Sequence, residues 1–395
     1  MRLSLAIFAV SGLAASFFAI AQPTTLPVQE VPSKAAAPVG EPIKPARRPQ
    51  VQLAILLDTS NSMDGLIAQA KSQIWGIVNT LATAKQKGER PELRVALYEY
   101  GNDKLSGENG FVRRVLALTT DLDEVSAQLF ALTTKGGEEY CGRVIQAATS
   151  ELEWSGEKDD LKVILIAGNE PFTQGNVPYQ TTVRGAVKRG IIVNTIFCGG
   201  EQDGISTMWK DGATLGEGSY AFIDTNAAAV HYASPFDDKI TTLSAQLNTT
   251  YVAYGTAGRD NLRKQVDQDA NAAAAAPAAA VARAATKASG AYRNDSWDLV
   301  DGIKEGKVKL EAVKEEDLPE AMRKMTPEAR KAHIEKLTKE RETMQREMGE
   351  LQSKREAFVK AERDKAAQAP GNTLEDAVTT AIREQAKRKG FTFEK

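Results

Sequence analysis

The chain reads as an α/β protein, a doubly wound, mostly parallel sheet followed by an α-helical and partly coiled-coil C-terminal region. Three observations predict this. Short apolar runs alternate with amphipathic helical stretches from residue 50 onward. The first run, Leu53-Ala54-Ile55-Leu56-Leu57, ends in Asp58-Thr59-Ser60-Asn61-Ser62-Met63, a carboxylate and two hydroxyls at alternate positions. From residue 237 the pattern turns helical and stays so.

The elements follow in order. Five consecutive apolar residues at 53–57 give a strand buried on both faces. An amphipathic helix then runs from 63 to about 84. Residues 93–100 alternate in polarity, as in a strand exposed on one side, and 111–118 form its neighbour across a glycine-rich turn. Helices follow at 123–132 and 139–152, with Val125, Leu129 and Leu132 on one face of the first. Residues 161–167 and 191–197 are apolar strands flanking a helix at 182–189, and 220–223 is the last strand. Strands spaced by helices make a parallel sheet covered on both faces. A helix at 237–247 closes the domain against it.

Beyond the sheet, residues 270–288 are mostly alanine and are interrupted by Pro277. Alanine favours helix but buries little surface, so the expectation is one or two helices broken near Pro277, with a flexible linker as the alternative. Thr326-Pro327-Glu328 is a helix start: threonine caps, proline suits the first turn and glutamate meets the dipole. Ile334, Leu337, Met344, Met348, Leu351 and Phe358 then recur at heptad spacing, with Arg341 and Arg355 in the two missing seam positions. That pattern suits a helical hairpin or an intermolecular coiled coil, the alternative being a solvated charged helix. A last helix at 373–388 carries Leu374, Val378 and Ile382 on one face and stops at Lys389-Gly390.

The N-terminus sets the expected compartment. Arg2 precedes an apolar stretch at 3–20 ending in Ala19-Ile20-Ala21, whose small residues fit cleavage after Ala21. Residues 1–21 therefore read as a signal peptide of a periplasmic or secreted protein, with no transmembrane segment after cleavage. Residues 22–49 read as a proline- and alanine-rich tether. The remaining boundaries are a sheet domain at 50–255, an alanine-rich helical linker at 256–295 and a charged helical, coiled-coil region at 296–395. Cys141 and Cys198 are the only cysteines, and the reading leaves a disulfide between them open. A formal charge of −2 without a basic, aromatic-laced tract disfavours nucleic acid.

The Asp58-x-Ser60-x-Ser62 string, placed between an apolar strand and a helix, resembles the signature of von Willebrand factor A domains with their metal-ion-dependent adhesion site. The resemblance spans residues 50–254. It implies a sheet whose antiparallel strand is 111–118, and a cation held by three loops at the sheet's carboxyl edge, where open α/β sheets place ligands. Asp58, Ser60 and Ser62 match the first loop. Gly136-Gly137-Glu138 stands where the second loop reads Gly-Gly-Thr, and Gly168-Asn169-Glu170 has glycine in place of the third-loop aspartate. With those two family ligands absent, Asp58, Ser60, Ser62 and Glu138, completed by Glu170 or Asn169, would still form an all-oxygen shell suited to Mg²⁺ or Ca²⁺. In the alternative, Glu138 accepts hydrogen bonds from Ser60 or Ser62 and closes the site as a polar network. Tyr98-Glu99-Tyr100-Gly101-Asn102, Ala167 to Gly175, Trp209-Lys210-Asp211-Gly212-Ala213 and Trp297-Asp298-Leu299-Val300-Asp301 further resemble a bacterial exported subgroup without an established activity.

What the resemblance implies about function is a module that grips an unidentified protein partner at the carboxyl edge, with Tyr98, Tyr100, Tyr140, Phe172 and Tyr179 as candidate contacts and the C-terminal helices for self-association or docking. A metal-independent envelope scaffold is the alternative. Catalysis has little to stand on: the two histidines, His231 and His333, suggest no nucleophilic or metal constellation. A carboxylate-based hydrolase using Glu138, Glu139 and Glu170 is the remaining enzymatic reading.

Overall fold

Strand β1 (Gln50–Asp58) is buried along almost its whole length, and alternate residues feed two separate cores. Val51, Leu53, Ile55 and Leu57 enter one core, and Ala54 and Leu56 the other. A computed structural model describes residues 47–223, 232–365 and 374–393. The expected signal peptide, nearly all of the tether, and His231 lie outside the described residues.

The chain continues through α1 (Asp64–Ala82), β2 (Ala84–Gln86), β3 (Glu92–Tyr100), β4 (Val112–Thr119), α2 (Leu122–Ala131), α3 (Cys141–Glu151), β5 (Leu161–Gly168), α4 (Tyr179–Lys188), β6 (Ile192–Cys198), α5 (Glu201–Ser206), α6 (Trp209–Leu215) and β7 (Glu217–Ile223). The helical part comprises α7 (Asp237–Asn248), α8 (Gly255–Ala275), α9 (Pro277–Ala288), α10 (Leu299–Lys304), α11 (Glu320–Arg323), α12 (Pro327–Lys365) and α13 (Leu374–Arg388), and ends in β8 (Phe391–Phe393). The sheet runs β4-β3-β1-β5-β6-β7, parallel except for the β3–β4 pair, as the resemblance implied. One expectation fails: β3 is buried on both faces from Val95 to Tyr100, because α2 and α3 both pack against it.

The alanine-rich stretch is packed structure. Ala276 adopts an extended conformation (φ −168°, ψ 150°) that ends α8, and Pro277 begins α9, where its missing amide costs nothing. Arg283 of α9, 1% exposed, donates to Asp123 Oδ1 at 2.8 Å, Asp269 Oδ1 at 2.5 Å and the Gln265 carbonyl at 2.8 Å, and lies 4.6 Å over the Trp75 ring. Lys287 donates to Asp269 Oδ2 at 2.8 Å and Asn248 Oδ1 at 2.5 Å, and Tyr292 donates to Asp123 Oδ2 at 2.6 Å. These contacts tie α8 and α9 to α1, α2 and α7.

The seam of α12 is also used within the chain. Ile334 and Leu337 join Val252, Leu299, Leu318 and Met322 in a third core, while Met348 reaches the main one. The two arginines that break the heptad pattern are anchors. Arg341 donates to Asp298 Oδ2 and Asp301 Oδ1, each at 2.6 Å, and to the Thr250 carbonyl at 2.6 Å, stacking 4.1 Å over Tyr251. Arg355 donates to Asp237 Oδ1 at 2.8 Å. Helix α13 lies on α1 and reaches β5, β6 and β7, with Val378 and Ile382 buried. Gln69 and Gln73 of α1 accept its first amides, from Leu374 at 3.2 Å and Glu375 at 2.7 Å. Gln385 and Asn194 exchange two hydrogen bonds (3.1 and 2.5 Å), and β8 pairs antiparallel with β2. Residues 256–295 are thus no spacer, and the last helix covers the sheet.

Candidate metal centre

Asp58 is fully buried at the carboxyl end of β1. Ser60, extended, lets the chain leave the strand before a short turn at Asn61–Met63 opens α1. The Ser60 amide donates to Asp58 Oδ1 at 2.8 Å, an Asx-type turn that aims the carboxylate back along the loop. Ser60 and Ser62 hydroxyls are 3.1 Å apart, and Ser62 Oγ is 3.1 Å from Asn169 Nδ2 and 3.3 Å from Asn169 Oδ1. Asp58 Oδ2 is buried and has no hydrogen-bond partner among the described residues.

The second loop is fastened from several sides. Lys135 N donates to Thr59 O at 2.9 Å, and Asn102 Nδ2 to the carbonyls of Thr59 (3.3 Å) and Thr133 (2.9 Å). Gly137 has to be glycine here, because a Cβ would stand 2.6 Å from the Gly101 carbonyl. Adjacent side chains of this extended loop point opposite ways. Glu138, the expected ligand, is exposed and 3.4 Å from Gln174 Nε2, whereas Glu139 is buried beside Ser60 and faces Asp58 and Glu170. Expectation and geometry are therefore one residue apart.

The third loop is pinned by Trp209, whose indole donates to the Glu170 carbonyl at 2.8 Å, and by Phe172 N, which donates to Thr207 O at 2.9 Å. The Glu170 side chain is half-buried. Burial pushes the Asp58 carboxyl up to about 7, against the hydrogen bonds from Ser60 and helped by Glu139 and Glu170. Glu139 is likewise pushed up to about 7, by burial and then by Glu170. Among the described residues, no arginine or lysine forms an ion pair with Asp58 or Glu139 as Arg283 does with Asp123 and Asp269.

The donor set is hydroxyl, amide and carboxylate oxygen, with one buried carboxylate oxygen unspent. That fits a hard divalent cation. Among the described residues, no group of three or more His, Cys, Asp or Glu side chains is arranged to hold a metal, so a cation here leans on Ser60, Ser62 and Asn169 as much as on acids. Most of the aromatic residues expected at the partner surface are packing instead: Tyr98, Tyr100, Phe172 and Tyr179 are buried, Phe172 with its ring 4.8 Å from Trp209, and only Tyr140 is half-exposed. Cys141 and Cys198 are buried free thiols, so the disulfide left open is not formed.

Residues 52–231 match the family model of the von Willebrand factor type A domain. A comparison with the curated proteins finds no match. Among solved structures, the conserved hypothetical protein BatB from Bacteroides thetaiotaomicron aligns at 17% identity over 44% of this chain and 90% of its own, with a TM-score of 0.34. An aerotolerance-related membrane protein from Bacteroides fragilis aligns at 16% identity over 45% of this chain and 93% of its own, with a TM-score of 0.31. Proximal thread matrix protein 1 from the mussel byssus, solved with a zinc-occupied MIDAS motif, aligns at 10% identity over 45% of this chain and 43% of its own, with a TM-score of 0.33.

Proposed function

We propose that this chain, which carries a von Willebrand factor type A domain at residues 52–231, is an exported protein-binding module whose contact surface is the carboxyl edge of the sheet. A divalent cation, Mg²⁺ or Ca²⁺, completes that surface. The observation that carries the reading is the unpartnered, buried Asp58 Oδ2 beside the hydroxyls of Ser60 and Ser62. A buried carboxylate without a counter-charge is costly, and a cation at the loop junction relieves that cost.

The ligands would be Asp58, Ser60, Ser62 and Glu139, with Glu170 or Asn169 at the margin. Glu138 is left on the rim, facing a partner. The cation would supply a positive centre able to accept a carboxylate from that partner. Export is supported by the signal-like residues 1–21. No helix among the described residues is long and apolar enough to cross a membrane. Because the seam of α12 is spent on this chain's own core, the C-terminal helices support the module rather than offer a free coiled-coil face.

Calorimetric titration of Mg²⁺ and Ca²⁺ into the full-length chain and into Asp58→Ala tests this. Saturable binding that disappears in the variant is expected. A chain that binds neither cation would remove metal from the account and leave a metal-independent scaffold.

A further inference from the structure

Gly168 ends β5 directly beside Asp58. A Cβ placed on it would lie 2.5 Å from Tyr100 Oη, 3.1 Å from Asp58 Cβ and 3.1 Å from Asp58 Oδ2. Two consequences follow from those distances. Any side chain at position 168 would project alongside the Asp58 carboxylate, into the mouth of the three loops. That space is already held by the phenolic oxygen of Tyr100, a fully buried residue on the neighbouring part of the sheet.

The hydroxyl's single proton is committed to the Ala167 carbonyl at 3.0 Å. Tyr100 therefore has no donor left for Asp58 Oδ2, which stays unpartnered. The phenol is wedged in place, with Cys141 Sγ 3.9 Å away. It cannot swing aside without opening a cavity in the core formed with Val144, Ile145 and Phe172.

We infer that Tyr100 and Gly168 are a matched pair that sets the site's cation preference: the tyrosine hydroxyl bars an acidic ligand at position 168, directly beside Asp58, and keeps the shell poor in fixed charge. This rests on the cation reading above. Two carboxylates, Asp58 and Glu139, and the hydroxyls of Ser60 and Ser62 remain beside it, with half-buried Glu170 or Asn169 at the margin. Mg²⁺ keeps several waters and needs only one or two carboxylates, whereas Ca²⁺ seeks six to eight oxygens, several of them charged. The pair thus selects Mg²⁺ and leaves coordination open for a partner's carboxylate. Tyr100 is a positioning and specificity-determining residue here, touching the ligand shell without joining it.

The experiment has two readouts on the full-length chain. The first is cation-free melting of Gly168→Ala, Tyr100→Phe and the double variant. Gly168→Ala should melt several degrees lower, and adding Tyr100→Phe should recover most of that loss, because the oxygen in the way is gone. The second is calorimetric titration of Mg²⁺ and Ca²⁺ into the parent chain and into Tyr100→Phe/Gly168→Asp. The parent should favour Mg²⁺, and the double variant should bind Ca²⁺ about tenfold tighter or more than the parent does. If Gly168→Ala melts like the parent, or Tyr100→Phe recovers nothing, the pairing is wrong. If the pairing holds but the double variant gains no Ca²⁺ affinity, the selectivity is wrong. A parent that binds no cation, beside a double variant that does, would overturn the proposed function and leave the pair standing as a barrier to the third ligand. Should Tyr100→Phe/Gly168→Asp fail to fold, the melting cycle decides the pairing and the parent chain's own preference decides the selectivity, which a parent binding Ca²⁺ as tightly as Mg²⁺ would overturn.

Discussion

Two clusters of buried acids flank helix α1, one before its first turn and one against Trp75, and they are neutralised in opposite ways. At the far cluster, Asp123 and Asp269 receive the guanidinium of Arg283 at 2.8 and 2.5 Å, and Lys287 adds a second cation at 2.8 Å. At the near one, Asp58 and Glu139 have hydroxyls and amides around them and are both pushed up to about 7 by burial. The same chain evidently can bring basic side chains to buried acids, and does so again at Arg341. Where acids only hold helices together, the protein supplies the counter-charge itself. At the sheet edge no basic side chain among the described residues pairs with the acids, and the proposed cation would take that place.

Substitutions at the two clusters should therefore have opposite signs. Arg283→Met takes the guanidinium from Asp123 and Asp269, leaving Tyr292 on the one and Lys287 and Asn248 on the other, and should lower unfolding free energy by about 3 kcal/mol in guanidinium denaturation. Asp58→Asn should raise cation-free stability at pH 8. Equal destabilisation by both would erase the distinction.

Ile382→Ala tests whether α13 belongs to the same cooperative unit. Its side chain is 1% exposed in the core shared with β1 and α1, so a loss of about 2–4 kcal/mol in a single transition is expected. Two separable transitions would show that the C-terminal region folds apart from the sheet.

The pH dependence follows from the sign of the Asp58 shift. Its folded pKa, about 7, lies above the ordinary carboxyl value, so between the two the folded state holds the extra proton. Stability then falls as pH rises from the unfolded pKa through the folded one. From pH 5 to 8 the cation-free chain should lose about 2–3 kcal/mol through this group, and Asp58→Asn should lose correspondingly less. Saturating Mg²⁺ should flatten the slope. The smallest effect is expected at Arg355→Ala: its pair with Asp237 is partly solvated, both side chains being 15% exposed, so the loss should stay near 1 kcal/mol.

Much of this fold was legible from hydrophobic pattern. The buried strands and the break at Pro277 follow from apolar runs and one missing amide, whereas the antiparallel pairing of Val112–Thr119 came from the family resemblance and not from the pattern. The first loop of the site was also readable, because Asp58, Ser60 and Ser62 lie close together in sequence. What could not be read was which way a loop side chain turns. Glu138 and Glu139 are identical in type, and only the fastening of the loop by Asn102 and Lys135 decides that Glu139 faces inward. Tyr100 was expected at the partner surface, and its place against Gly168 escaped notice because the two lie far apart in sequence, though a glycine in place of an expected acid was itself a signal that something fills its space. Arg341 and Arg355 looked like interruptions of a seam, since their acids lie on α10, its cap and the start of α7.

Asp58 and Glu139, on the reading proposed above, form a buried acidic site that a cation completes. Calorimetric titration of Mg²⁺ at pH 6, repeated in two buffers of different ionisation enthalpy, tests it most directly, because both acids are still largely protonated there and must release protons to bind metal. Saturable binding with proton release is expected in the full-length chain, and loss of both in Asp58→Asn. Absence of binding, or binding that Asp58→Asn leaves unchanged, would contradict it.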